Sequence, residues 1–163
     1  MKVLLDTDLT SAFAKVGRLE LLVRLFAGID LGIAFEVYKE LLVPIEHDYH
    51  FPEAVFAVCE TIYPHPEEMV TVQRRLVDMK ALGRGELETI TICQARGWFY
   101  AAIDQKALTY ARSLGVTTFA LRVILRLLWM RHILSQEEVR TLIQELWEKD
   151  KLVIVDLEEI FHE

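Results

Sequence analysis

With 163 residues, 53% of them hydrophobic, and a formal net charge of −7, the chain suits one folded domain with a two- or three-layer core and is too apolar for a disordered one. Its 18 basic residues against 25 acidic ones argue against a broad basic face gripping nucleic acid through many phosphate contacts. They do not exclude a site where divalent cations neutralise carboxylates and themselves hold a phosphate.

The longest apolar stretch, Phe119 to Met130, is interrupted by Arg122 and Arg126, so no membrane span is expected. Met1-Lys2 leads straight into a strand-like segment without a signal-peptide pattern, which makes a cytoplasmic location the expectation. Cys59 and Cys93 have no paired spacing and read as buried reduced thiols, a single disulfide between them staying open.

Val3-Leu4-Leu5 is a short apolar run ending in an acid, the pattern of a buried parallel strand. Leu19, Leu22, Val23 and Phe26 repeat at helical spacing, and Gly28 closes that helix. Leu31 to Phe35 predicts a second strand, and Glu36 to Leu42 a helix stopped by Pro44. Residues 45–66 are irregular, with a short helix expected around Glu53 to Val58. Glu67 to Leu82 predicts a helix, which Gly83-Arg84-Gly85 breaks before the next begins at Glu86. Trp98 to Ile103 reads as a strand ending at Asp104. Gln105 to Leu114 follows as a helix closed by Gly115, then Val116 to Phe119 as a last parallel strand. Two long helices finish the chain. In the second, Ser135 and Glu138 form a capping box ahead of the stripe Val139, Leu142, Ile143, Leu146 and Trp147. Leu152 to Val155 is expected to add an edge strand. Strands and helices alternating in this way predict one α/β domain over residues 1–163, its mostly parallel sheet of four to five strands covered on both faces.

Open parallel sheets bind ligands at the carboxyl ends of their strands. Asp6 and Asp104 each end an apolar strand, and if those strands are neighbours both face one crevice. Two such carboxylates repel each other unless a proton or cation lies between them, and oxygen donors of this kind suit Mg²⁺ or Mn²⁺. Each Asp is equally explained as the N-cap of the helix that follows. Glu86 opens a helix after a glycine-flanked turn, where the helix dipole alone favours an acid. Glu40, among Val37, Leu41 and Leu42, would by itself be read as a solvated helix face.

Taken together, and in their order, these four words resemble the PIN-domain family of the VapC-like toxin ribonuclease type. The words are Leu4-Leu5-Asp6-Thr7-Asp8 followed by Thr10-Ser11, Val37-Tyr38-Lys39-Glu40-Leu41, Leu82-Gly83-Arg84-Gly85-Glu86, and Ile103-Asp104 followed by Ala107 and Ala111. The resemblance covers residues 1 to about 135, with 136–163 as a helical extension. It implies a three-layer α/β/α fold and a Mg²⁺- or Mn²⁺-dependent ribonuclease, often the toxin of a toxin–antitoxin pair. It also implies catalytic and metal-holding roles for Asp6, Glu40, Glu86 and Asp104. Two departures from the pattern stand out. Gln105 occupies a position where a second acid often follows, and Thr117-Thr118-Phe119-Ala120 lacks the usual Gly-Thr, leaving Thr118 to supply the hydroxyl.

In this reading a metal held by Asp6 and Asp104 lowers the pKa of a bound water for in-line attack on a phosphodiester. Glu40 and Glu86 complete the coordination or orient that water. Asp8 points to the opposite side if the first strand continues, which leaves it at best, like Thr7, a place behind the metal ligands or beside the substrate. Thr10 or Ser11 at the start of the first helix is expected to bind a phosphate oxygen through hydroxyl and backbone N–H, and Arg84 to face the scissile phosphate.

Three rivals remain. Asp6-Thr7-Asp8-Leu9-Thr10 also matches the Asp-x-Asp-x-Thr word of haloacid-dehalogenase-like phosphatases, with Asp6 as nucleophile. A PIN-like binding module that has lost turnover is another. In it the apolar helix Leu121 to Leu134, with Trp129 and Met130, offers a homodimer or antitoxin surface as well as core. Glu46-His47-Asp48-Tyr49-His50 fits no zinc spacing and reads as a wet loop.

Overall fold

The computed structural model describes residues 1–163. Val3, Leu4 and Leu5 of strand β1 (Lys2–Leu5) are all fully buried. A strand with no solvent on either face must lie inside a sheet covered on both sides, as its unbroken apolar run predicts. The sheet has five strands in the order β3-β2-β1-β4-β5, with β2 (Asp30–Ala34), β3 (Glu60–Ile62), β4 (Phe99–Ala102) and β5 (Thr118–Ala120), every pair parallel. The three-layer α/β/α class is thus the fold observed.

The chain builds outward from β1 to β2 and β3, then returns to β1's other side for β4 and β5. Between β1 and β4 the direction of winding reverses. That reversal opens the crevice where such sheets take their ligands. On the other side of β1, Gly32 of β2 makes room for its neighbours: a Cβ on it would lie 2.8 Å from Leu4 Cδ2 and 3.3 Å from the Glu60 carbonyl oxygen.

Helices α1 (Thr7–Lys15), α2 (Glu20–Leu25), α3 (Phe35–Glu46), α4 (Pro52–Val58) and α5 (Pro66–Asp78) fill the first half. They are followed by α6 (Arg84–Arg96), α7 (Gln105–Ser113), α8 (Leu121–Met130), α9 (Gln136–Asp150) and α10 (Leu157–Phe161). Helix α6 is the inner one: Gly85 and every residue from Leu87 to Cys93 are buried, and it packs on β1, β2 and β4. Arg96 at its end forms an ion pair with buried Glu68 of α5 at 2.7 Å. One core runs from Val3 through Val139, Leu142 and Leu146 to Ile160, so α9 and α10 share it. Cys59 and Cys93 are buried and unbonded, and burial raises both thiols, Cys59 to about 12.

Several expectations need correction. Helix α3 runs through Pro44 to Glu46, because a proline in the last turn forfeits one hydrogen bond while its own carbonyl still accepts from His47 and Tyr49. Helix α5 stops at Asp78, short of Leu82, and α6 starts at Arg84 with Gly83 as N-cap, ahead of Glu86. The segment Leu152 to Val155 forms no strand; α9 ends on Lys151 at φ +56, and no backbone hydrogen bond joins 153–155 to the sheet. Helix α8 is not apolar all round either. Leu121, Ile124, Leu125 and Leu128 face the core, while Arg122, Arg126 and Trp129 bind α10 through Glu159 and the Ile160 carbonyl. The chain's own C-terminal helix therefore covers much of the surface expected for a partner. No helix is long and apolar enough to cross a membrane.

Candidate metal centre

Asp6 and Asp104 follow adjacent strands, and the Asp6 amide donates to the Ala101 carbonyl at 3.0 Å across the gap between them. The two acids nevertheless differ. Asp104 is a true N-cap, its Oδ1 accepting from the Lys106 and Ala107 amides of α7 at 2.8 and 3.1 Å. Asp6 occupies the N-cap position of α1 without capping it. Its carboxylate, 5% exposed, instead accepts from the fully buried Tyr100 hydroxyl at 3.3 Å. A helix-cap explanation therefore suffices for Asp104 and fails for Asp6.

Glu86, in the first turn of α6, uses Oε1 to accept from the Gly83 amide at 3.1 Å. Its Oε2 is buried with no hydrogen-bond partner. An orphaned carboxylate oxygen is costly, and native proteins rarely leave one without a counter-ion, proton or ligand. Glu40 reaches the same place from α3. Its Oε2 accepts from the Thr7 hydroxyl, and its Oε1 lies where a Cβ on Gly85 would sit, 2.5 Å away. A side chain on Gly85 would thus displace the Glu40 carboxylate from this place.

The electrostatics follow from this crowding. Burial pushes Asp6 up to about 7, and the charges of Glu86, Asp8 and Glu40 add to the rise against the Thr7 amide. Glu86 is raised by its burial and by Asp104, Asp8 and Glu40, with the Gly83 amide opposing. Tyr100 is raised by burial and by Asp6, so it stays a proton donor. Glu40 thus lies within electrostatic reach of both Asp6 and Glu86, and Asp104 within reach of Glu86.

Asp8 joins them, correcting the expectation that it points away. The strand ends at Leu5, and Asp8 stands in the first turn of α1, where its charge bears on both Asp6 and Glu86. Thr10 does not fit the phosphate role. Its hydroxyl donates to the Asp6 and Thr7 carbonyls at 3.1 and 2.9 Å, and its amide to the Asp6 carbonyl, so both groups are spent inside α1. Ser11 lines a cavity with Asp8, Lys15, Ile103 and Lys151 beside the crevice. Thr118 stands at the beginning of β5, away from its carboxyl end, and accepts from Arg112 Nε at 2.9 Å; it does not supply a hydroxyl to the acids. Arg84 is exposed in the first turn of α6. Thr7, expected behind the metal ligands, donates its hydroxyl to Glu40.

Two residues, one in the crevice and one beside it, escape a reading of the sequence. Tyr100 reads as one more core residue of Phe99-Tyr100-Ala101-Ala102, and only its hydroxyl beside a strand ending in Asp hints otherwise. Glu88 resembles a surface glutamate, yet it is buried, accepts the Glu36 amide at 2.9 Å, and is raised by that burial.

As a donor set this crevice is all oxygen, with repelling carboxylates and one orphaned atom, which fits a hard divalent cation such as Mg²⁺ or Mn²⁺. No three of its acids close into a finished coordination shell. Glu40 is turned to Thr7 and Asp104 to its helix.

An open, doubly wound parallel sheet with acids gathered at its switch point defines a class of α/β domain. Residues 2–156 match the DUF3368 family model, a PIN domain, and the chain belongs to the PIN-domain family. The haloacid-dehalogenase reading is thereby set aside. No curated protein matches the chain. Among solved structures it is similar to a chain of VapBC-1 from nontypeable Haemophilus influenzae, with a TM-score of 0.53 and 14% identity, covering 74% of this chain and 98% of that one. At that identity the likeness is one of fold.

Proposed function

We propose that the protein is a divalent-metal-dependent ribonuclease that hydrolyses RNA phosphodiester bonds, and that it serves as the toxin of a toxin–antitoxin pair. The single observation behind the catalytic reading is the buried, partnerless Glu86 Oε2 among Asp6, Asp8, Glu40 and Asp104. Membership of the PIN-domain family supports a nuclease, and the fold shared with a VapBC-1 chain supports the toxin assignment.

Asp6, Asp104, Glu86 and Glu40 would hold Mg²⁺ or Mn²⁺, which when bound acidifies a water for attack and neutralises the phosphate. The chain's own residues prepare for this. Tyr100 holds one oxygen of Asp6, leaving the other free for the crevice, and Thr7 keeps Glu40 at the rim. Arg84 and Ser11 stand beside the acids to meet the phosphate backbone. Cleavage of structured and single-stranded RNAs with Mn²⁺ tests the proposal. Asp6→Asn and Asp104→Asn are each expected to lower the rate at least a hundredfold, and activity surviving both substitutions contradicts it.

A second reading, a binding module with little turnover, draws on Gln105 and on the lack of a finished coordination shell. A purified chain that binds Mn²⁺ poorly and cuts no RNA would favour it.

A further inference from the structure

The buried glutamate of α6, Glu88, takes no part in the crevice, and glutamate is seldom buried without a task. Helix α3 begins after Ala34, which has no side chain able to cap its first amides. Glu88 supplies the missing acceptor from the neighbouring helix: its Oε1 takes the Glu36 amide at 2.9 Å, and the residue is 6% exposed. One turn away on each helix is the second point of contact, where the Glu40 carboxylate lies against Gly85. Gly85 and Glu88 are three residues apart on α6, and Glu36 and Glu40 four apart on α3, so each pair shares a face. The contacts run 85 to 40 and 88 to 36, as two antiparallel helices require. Gly85 leaves room for the Glu40 carboxylate between the helices, and the Glu88 hydrogen bond ties the first turn of α3 to α6.

We propose that Glu88 is a positioning residue, an N-cap supplied in trans, whose hydrogen bond to the Glu36 amide sets the place of the Glu40 carboxylate relative to Glu86. This inference rests on the reading that Glu40 and Glu86 share a cation. It assigns to Glu88 no contact with metal or substrate, only the spacing between the two helices that bring their acids together.

The experiment is Mn²⁺ titration of the full chain by calorimetry, with melting temperatures and RNA cleavage measured on the same samples. Glu88→Gln keeps an oxygen that accepts the amide and is expected to hold Mn²⁺ within about threefold of wild type. Glu88→Met fills the same space without an acceptor and is expected to bind Mn²⁺ about ten- to a hundredfold more weakly, the range for losing a residue that orients metal ligands. Leu142→Ala, a buried truncation in α9 outside the contact between α3 and α6, controls for lost stability and should leave Mn²⁺ affinity unchanged. Unchanged affinity in Glu88→Met overturns the inference while the metal-site reading stands. So does a tenfold loss in Glu88→Gln, which decides the matter even if Glu88→Met does not fold. A wild-type chain that binds no Mn²⁺ overturns both.

Discussion

Asp6 carries a penalty that the rest of the molecule has to absorb. Its carboxyl has an ordinary value of 3.8 and rises to about 7 in the fold, chiefly because it is buried. A group raised in this way opposes folding once the unfolded chain ionises and the folded one does not. Stability of the metal-free protein is therefore expected to fall as pH rises from about 4 to about 7, and then to level off. The full effect is on the order of 4 kcal/mol. Asp6→Asn should remove this slope and raise the melting temperature at pH 8 while abolishing cleavage, as thermal melts across pH will show. A variant that gains stability and loses function is the mark of a site built for charge it cannot balance alone. Adding Mn²⁺ to wild type should stabilise it more at pH 8 than at pH 5, because the cation competes with the proton. An Asp6→Asn chain no more stable than wild type at pH 8 contradicts this account.

At the scale of elements, much of the site was legible, for physical reasons that differ from residue to residue. Asp6 and Asp104 announce themselves because each follows an apolar strand at the sheet's carboxyl end, although a helix cap is explanation enough for Asp104. Glu40 looked like solvent-facing helix, since nothing local shows that α3 turns it toward Thr7 and Gly85. Asp8 was misplaced because a strand continuing past Leu5 and a helix starting at Thr7 send it in opposite directions. The short edge strand Glu60–Ile62 was missed; three residues carry no periodicity, and its place on the edge of the sheet beside β2 is a tertiary fact. The alternation in Leu152 to Val155 misled in the other direction, marking a segment that packs Leu152 and Ile154 inward without pairing. Gly85 offers the sharpest element-level test. Gly85→Ala should gain helix propensity, up to about 1 kcal/mol, yet push Glu40 aside and cost at least tenfold in Mn²⁺ affinity. A substitution harmless to both stability and binding would show that the two helices do not hold Glu40 where the structure places it.

For the whole molecule, the acidic balance and the C-terminal extension are the features that matter most. A net charge of −7 is tolerable for a nuclease whose crevice acids are answered by cations, but it leaves few basic groups to hold a long polynucleotide. The extension closes the fold: α9 enters the common core, and α10 returns over α8, with Trp129 Nε1 donating to the Ile160 carbonyl at 2.8 Å. Trp129→Phe keeps the ring and loses that bond, worth about 1 kcal/mol. It should make the linker at residues 151–156 a site of early proteolytic cleavage while leaving the crevice intact. The gathered carboxylates should share a divalent cation, and Mn²⁺ titration followed by electron paramagnetic resonance tests this most directly. Wild type should take up Mn²⁺ at pH 8, with affinity reduced at least tenfold in Asp6→Asn and in Glu86→Gln. Failure of the wild type to bind Mn²⁺, or equal binding by all three proteins, would contradict it.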